Sequence, residues 1–160
     1  MMKPTSIRIA TVLALGAAVA MTAATVWAQQ APKPENQIRW RQSAFQVIAL
    51  NAARIKASVD GSYNKDEVVR SASAIAALAN TNLLTLFTPG TEAGKGWHDT
   101  TAKAELFKDT QRVAELNAAF TKEANELLRV AQAGDAAAVK EQHGKLARSC
   151  KSCHDDFRSQ

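Results

Sequence analysis

The sequence predicts an all-α protein, an antiparallel up-down-up-down four-helix bundle. Four segments repeat apolar residues at the alternating three- and four-residue spacing of a helix that packs in a bundle. Turn-forming residues separate the segments at Asp60-Gly61-Ser62, Pro89-Gly90 and Gly134-Asp135. No segment alternates apolar and polar residues with the period of a strand. Four helices joined by three connections account for this pattern.

The first predicted helix covers residues 35–59, and the second begins after Asn64 and ends by Phe87. Asn64 and Glu67 have the spacing of a capping box, and Pro89-Gly90 cannot continue the second helix. The predicted buried positions of the first helix are Ile38, Arg41, Phe45, Ile48, Ala52, Ile55 and Val59. Those of the second are Val68, Ser71, Ile75, Leu78, Asn82 and Leu86.

The third predicted helix covers residues 101–133 and the fourth residues 135–158, with a glycine-rich loop at 88–99 before the third. Gly134 suits a helix C-terminus, and Asp135 suits the N-cap of the next helix. The third helix is predicted to bury Leu106, Val113, Leu116, Phe120, Leu127 and Ala131. The fourth is predicted to bury Val139, Leu146, Cys150, Cys153 and Phe157.

The first 28 residues have the features of a secretory signal peptide. Lys3 and Arg8 precede an apolar run at 9–21, and small residues lead up to Ala28. Cleavage after Ala28 would leave one domain at residues 29–160. An uncleaved anchor is the alternative, but the run is shorter than the ~20 residues that span a bilayer. The leader therefore predicts export to the periplasm without stable membrane insertion.

The two cysteines of the chain belong to one motif near the C-terminus, Cys150-Lys151-Ser152-Cys153-His154. On a helix, Cys150, Cys153 and His154 point the same way. This spacing is typical of covalent haem c attachment, in which each thiol adds to one porphyrin vinyl group and the imidazole ligates the iron. The motif predicts one covalent haem c per chain, with His154 as the metal ligand.

Three other interpretations of this motif fit the sequence less well. A thioredoxin-like redox pair needs a βαβ context, and a structural zinc site needs four ligands at suitable spacing. The sequence offers neither. A disulfide between Cys150 and Cys153 would close a very small loop and leave His154 without a role.

The charge of the chain argues against a nucleic-acid partner. The formal net charge is +5, and it falls to +3 when Lys3 and Arg8 leave with the leader. Two haem propionates would bring it to about +1. Nucleic-acid binding needs a clustered basic face, so we expect none.

The sixth coordination position of the iron distinguishes electron carriers from gas-binding proteins. Electron carriers usually fill it with Met or His, but all three methionines lie within residues 1–21. His143 is about 16 Å from His154 along the same helix and cannot reach the opposite haem face. His98 in the glycine-rich loop is the remaining candidate. We expect a five-coordinate, high-spin iron with a vacant or apolar distal side.

Phe45 is the candidate for the distal residue. It lies on the predicted buried face of the first helix, with Arg41 one turn before it and Gln42 beside that. An aromatic side chain at this spacing is more often ordinary core. However, a cation on the same face needs a buried partner, which a haem propionate would supply. The alternative for Arg41 is a side chain that reaches solvent.

With these residues the sequence resembles the cytochrome c′ family, the bacterial class II cytochromes c. The position of the haem motif and the first-helix segment carry the resemblance, which spans almost all of residues 29–160. The matching segments are Lys33-Pro34-Glu35, Arg41-Gln42-Ser43-Ala44-Phe45, Phe87-Thr88-Pro89-Gly90-Thr91-Glu92 and the C-terminal Cys-x-x-Cys-His-Asp. The stretch Ala93-Gly94-Lys95-Gly96-Trp97 departs from the family, because the loop looks shorter than in some relatives.

The resemblance implies how the haem is held. Cys150 and Cys153 would carry it, and His154 would be the proximal ligand. The propionates would contact Arg41 and Gln42 of the first helix. The departing stretch supplies a further candidate propionate contact, Lys95.

The resemblance also implies ligands and assembly. Phe45 would occupy the family's apolar distal position, and Arg158 would lie close to the proximal ligand. Members of the family bind NO and CO, resist O₂ and anions, and commonly form homodimers, often through the first two helices.

Three functions fit such a protein. The first is a periplasmic haem protein that captures NO, with some redox capacity. The second is a single-electron carrier that docks to periplasmic redox partners. The third is an enzyme, but peroxide cleavage needs a distal acid or base, and the positions near Phe45 offer only Arg41 and Gln42. We therefore predict a binding protein, with weak NO-reducing or peroxidase activity left open.

Overall fold

The computed structural model describes residues 32–159. The predicted signal peptide and its cleavage site lie outside the described residues. Within the described part of the chain no strand forms, and the two isolated β-bridges join Lys95 to Asp99 and Ala102 to Arg158. None of the helices described here has both the length and the hydropathy that a membrane crossing requires.

Four α-helices form the fold: α1 Pro34–Asp60, α2 Lys65–Ala79, α3 Thr110–Ala133 and α4 Ala136–Phe157. Consecutive helices pack against each other, and α4 also packs against α1, which closes the bundle. The short α1–α2 and α3–α4 connections make these neighbours antiparallel. The prediction of an all-α four-helix bundle is confirmed.

Local capping explains where α4 begins. The Asp135 side chain accepts hydrogen bonds from the backbone N–H groups of Ala137 and Ala138, at 2.8 and 3.0 Å. Gly134 before it has a φ of +89°, a conformation that favours glycine. These two residues give the sharp α3–α4 turn that the sequence predicted.

The predicted second helix is too long. It ends at Ala79 rather than at Phe87, and a 3₁₀ helix at Leu83–Leu86 follows. The Asn80 side chain donates to the carbonyl oxygen of Ala76 at 2.7 Å, and Asn82 has a φ of +56°. Because a left-handed residue cannot continue an α-helix, the chain turns there.

The predicted third helix also begins too early. It starts at Thr110 rather than at Thr101, since the Asp109 side chain accepts from the Arg112 backbone N–H at 3.1 Å and caps it. A second 3₁₀ helix, Ala104–Phe107, lies before it. The connection between α2 and α3 is therefore longer than the predicted loop.

Most predicted buried positions are buried, and the exceptions have structural causes. Asn82 is exposed because α2 ends before it. The sequence pattern did not indicate that Asn51 and Ser58 of α1 are buried. Phe45 exposes 38% of its surface, although it lies on the same stripe of α1 as the buried Arg41 and Ile48. Phe45 is thus an apolar residue of this stripe that other side chains of the described residues leave exposed.

Two apolar clusters form the interior. The main cluster runs through the bundle and includes the fully buried Ile55, Ile75 and Leu127. We call the second the end cluster; it consists of Leu106, Val113, Leu116 and Phe157, with Leu84, Phe87, Phe107 and Cys153 against it. Cys150 packs against the main cluster instead. The motif cysteines therefore lie between the two clusters.

Candidate haem-binding site

Cys150, Cys153 and His154 lie in the C-terminal part of α4, which is continuous through the motif. Both cysteines are partly buried free thiols, so no disulfide joins them. Burial raises the pKa of both thiols, and the Asp156 carboxylate raises that of Cys153 further. Residues 32–159 contain no group of three or more His, Cys, Asp or Glu side chains arranged for a metal ion, which argues against the zinc interpretation.

His154 is exposed at the edge of an open cleft of about 490 Å³. The residues that line the cleft are Thr101, Lys103, His154, Asp155, Arg158 and Ser159. Partial burial lowers the pKa of His154, and the nearby Arg158 charge lowers it further, against the opposing effect of Asp155. The imidazole therefore stays neutral to lower pH, and the neutral form is the one that ligates a metal.

Residues 101–103 hold the end of α4 beside this cleft. They belong to the connection between α2 and α3, which we call the crossover. The Ser159 N–H donates to the Thr101 carbonyl at 2.8 Å, and the Lys103 N–H donates to the Phe157 carbonyl at 2.9 Å. The Lys103 ammonium donates to the carbonyl oxygens of Asp155 and Asp156 at 3.2 and 3.1 Å. It satisfies free carbonyl groups of the last helical turn. The sequence did not predict these contacts, because the residues that they join are more than fifty positions apart in the chain.

Arg41 is 4% exposed, which confirms the predicted burial and excludes the alternative of a side chain that reaches solvent. Its guanidinium donates to Thr91 Oγ1 and to the Thr91 carbonyl, both at 2.7 Å, and to Thr100 Oγ1 at 2.6 Å. A longer bond of 3.4 Å reaches the Leu86 carbonyl. Burial lowers the pKa of Arg41, against the opposing effect of Glu92. The loop thus supplies neutral buried partners, and the predicted propionate contact would fall to the remaining Nε–H.

Gln42 anchors the glycine-rich loop with both ends of its amide. Its Oε1 accepts from the Trp97 N–H at 2.8 Å, and its Nε2 donates to the His98 carbonyl at 2.9 Å. Gly96 lies buried beneath this pair, and a Cβ there would collide with the Gln42 amide and with the backbone of Arg39. Only glycine fits at this point of the loop. A propionate contact from Gln42 stays a prediction.

A row of three aromatic rings connects α1 to the end cluster. The ring centroids of Phe45 and Phe87 are 6.0 Å apart, and those of Phe87 and Phe107 are 6.3 Å apart. The Arg41 guanidinium lies 5.1 Å from the centre of the Phe87 ring. Phe87 and Phe107 pack against the end cluster, as does Cys153. The sequence placed Phe87 at the end of a helix and in a segment that matches the family, but it gave no sign of these contacts.

The two other histidines and Lys95 bond to groups outside the row of aromatic rings. The His143 ring nitrogen Nε2 is 3.0 Å from the Ala52 carbonyl of α1, and the His98 Nδ1 is 2.8 Å from the Asp99 carbonyl. Lys95 is exposed in the loop and forms a backbone bridge with Asp99.

These features fit a flat apolar group that is held at its edge. Two thiols lie between two apolar clusters, the imidazole that follows them is biased towards its neutral form, and Phe45 offers uncovered apolar surface. Such a set suits a porphyrin with two thioether links and one axial nitrogen. The fold and this site define a four-helix cytochrome of the c type.

Comparison with known proteins identifies the family. The model of the Cytochrome C′ family matches residues 36–158. Cytochrome c′ of Rhodocyclus tenuis is 54% identical over 127 residues, which cover 79% of this chain and 96% of that protein. The chain belongs to the cytochrome c′ family, whose members bind haem c covalently, and one covalent haem c is the cofactor of this chain.

Two solved structures share the fold. One is a cytochrome c′ with an unusual ligand-controlled dimer dissociation, which is 37% identical with a TM-score of 0.78, covering 81% of this chain and 98% of that one. The other is a nitric oxide complex of a cytochrome c prime variant from Alcaligenes xylosoxidans. It is 28% identical with a TM-score of 0.71, and the match covers 80% of this chain and 98% of that one.

Proposed function

We propose that this chain is a periplasmic haem protein that binds NO and CO at an iron ligated by His154 alone. The absence of methionine from residues 22–160 is the observation that supports this most, because methionine is a usual sixth ligand of electron carriers. His143 Nε2 is bonded to the Ala52 carbonyl of α1, and Gln42 holds the loop that carries His98 through the His98 carbonyl. We therefore propose that neither histidine reaches the second face of the iron. The leader sequence supports the periplasmic location.

Haem iron supplies the coordination chemistry, and we assign the anchoring roles to α4. Cys150 and Cys153 would hold the ring at its edge through links that do not depend on His154. The Arg158 charge lies close enough to His154 to lower the pKa of its imidazole, so this side chain is near the proposed proximal ligand. We propose that Arg158 stabilises a ligand that approaches from this side.

On the opposite side, we propose that Phe45 selects ligands by what it lacks. A small neutral diatomic molecule can pass an apolar ring, whereas an anion would lose its hydration without gaining a charged partner. Dioxygen binding gains from a distal hydrogen-bond donor, and Phe45 has none. Most donors of Arg41 and the amide of Gln42 are engaged by the loop. Catalysis would need a distal acid or base, so we propose binding rather than an enzymatic reaction.

The ferrous absorption spectrum tests the iron ligation. We expect a high-spin spectrum for the purified protein and the same spectrum for His98→Ala, because Gln42 anchors the loop that carries His98 to α1. His143→Gln serves as the matched control, since His143 is bonded to α1. A low-spin spectrum that becomes high-spin only in His98→Ala would identify His98 as a sixth ligand and favour the electron carrier.

We also propose that the protein forms a homodimer through α1. Trp40, Val47 and Leu50 lie on one face of α1 and are 50%, 44% and 51% exposed. The Trp97 indole extends this face, since its Nε1 donates to Ser43 of α1 at 2.9 Å. A group of exposed large apolar side chains is typical of an interface, and the dimer dissociation described for the similar cytochrome c′ supports a second copy as the partner.

Sedimentation equilibrium tests the dimer. Val47→Glu places a charge at the centre of this face, and we expect a monomer because an unpaired charge is expensive to bury. Ala118→Glu adds the same charge at an exposed position of α3 and should leave the dimer intact. A Val47→Glu protein with unchanged mass would show that α1 is not the interface.

A further inference from the structure

We propose that Phe87 is a second residue of the gas-binding pocket and that it limits how far the Phe45 ring can move. This inference rests on the proposed distal position of Phe45. It adds a residue that lies outside the helix carrying Phe45, on the crossover between α2 and α3.

The first step is the contact between the two rings. Their centroids are 6.0 Å apart with planes tilted by 54°, within the range of a favourable aromatic pair. Phe45 is 38% exposed, while Phe87 is partly buried and packs against the end cluster. Phe87 therefore covers one side of a ring that is otherwise open.

The second step is that Phe87 cannot easily retreat. The Phe107 ring lies 6.3 Å from it, and the Arg41 guanidinium lies 5.1 Å from its centre. Arg41 is itself held at 2.6 to 2.7 Å by Thr91 and Thr100. The support behind Phe87 is thus a buried, hydrogen-bonded side chain and a second ring.

The consequence is a barrier to ligand entry. A molecule that approaches the iron on the side of Phe45 has to displace that ring, and one direction of displacement is closed by Phe87. Loss of an aromatic pair of this type corresponds to about a 2- to 12-fold change in rate. Phe87 is therefore a positioning residue, because it decides how readily Phe45 yields.

The test is the association rate of CO with the ferrous, haem-loaded protein. Phe87→Leu should bind CO about 2- to 12-fold faster than the unsubstituted chain. Ile75→Val removes volume from the main cluster without touching either ring, and it should leave the rate unchanged. Unfolding in urea is measured for both variants, so that an effect of lost stability alone is recognised. Should Phe87→Leu not fold, Phe87→Met keeps the volume without the rigid ring and should also bind CO faster.

Combining Phe87→Leu with Phe45→Leu separates the role of Phe87 from the distal position of Phe45. If Phe87 acts through Phe45, the double variant binds CO no faster than Phe45→Leu alone. An unchanged rate in Phe87→Leu, with a faster rate in Phe45→Leu, would overturn the role of Phe87 only. An unchanged rate in Phe45→Leu would overturn the distal position of Phe45 and with it the basis of both proposals.

Discussion

Replacing both Cys150 and Cys153 with Ala is expected to abolish covalent haem attachment. We propose that each thiol supplies one link to the ring, and the described chain contains no other cysteine. Acid–acetone extraction should therefore remove all haem from the double variant and none from the unsubstituted protein. The bundle should persist with a similar helix content by circular dichroism, because both side chains are only partly buried.

Two controls make this experiment specific. Cys153→Ala alone keeps the Cys150 thiol. Part of its haem should stay covalently bound through that thiol, and the rest should be removed by the extraction. Ser152→Ala changes an exposed position between the cysteines and should retain all haem. Covalent haem in the double variant would mean that another residue carries it.

Replacing Phe45 with Ala is expected to accelerate CO binding about 5- to 150-fold. In the proposed distal position, entry past Phe45 would require a strained side-chain rotamer and loss of the contact with Phe87, and Ala would remove both requirements. Because the ring is 38% exposed, the loss in unfolding free energy should be smaller than the ~3–5 kcal/mol of a fully buried Phe. Stopped-flow mixing of the ferrous protein with CO measures the rate.

Gln46→Ala is the matched control for Phe45→Ala. Gln46 is the next residue of α1, is exposed, and lies off the buried stripe, so the CO association rate should not change. An equal increase in both variants would indicate a general loosening of α1 rather than a distal role for Phe45.

Arg41 illustrates how a correct pattern led to an incomplete interpretation. Its position on the buried face of α1 was correctly inferred from the spacing, as was its need for a buried partner. The partner expected was a propionate, whereas Thr91 and Thr100 bind the guanidinium in the structure. Both threonines lie some fifty residues away, and no local pattern indicates which hydroxyl groups will reach a given helix.

The lengths of α2 and α3 show a second limit of prediction from the sequence. Leu86 and Leu106 keep helical spacing and are partly and fully buried, so periodicity extended both helices across them. The chain covers these residues from 3₁₀ helices instead. Periodicity predicted the burial of Leu106 but wrongly predicted that of Asn82, and hydrogen bonds such as those of Asn80 and Asp109 decide where a helix ends.

The amino-acid sequence by itself determined the all-α class, the four helices and the haem motif. Helix period, caps and the spacing of Cys150, Cys153 and His154 are local properties, and local spacing is enough to specify them. Only the tertiary structure decided that the crossover supplies the partners of Arg41, that Phe87 lies against Phe45, and that Lys103 holds the end of α4. These contacts join segments far apart in the chain, and their partners are chosen by the packing of the whole bundle.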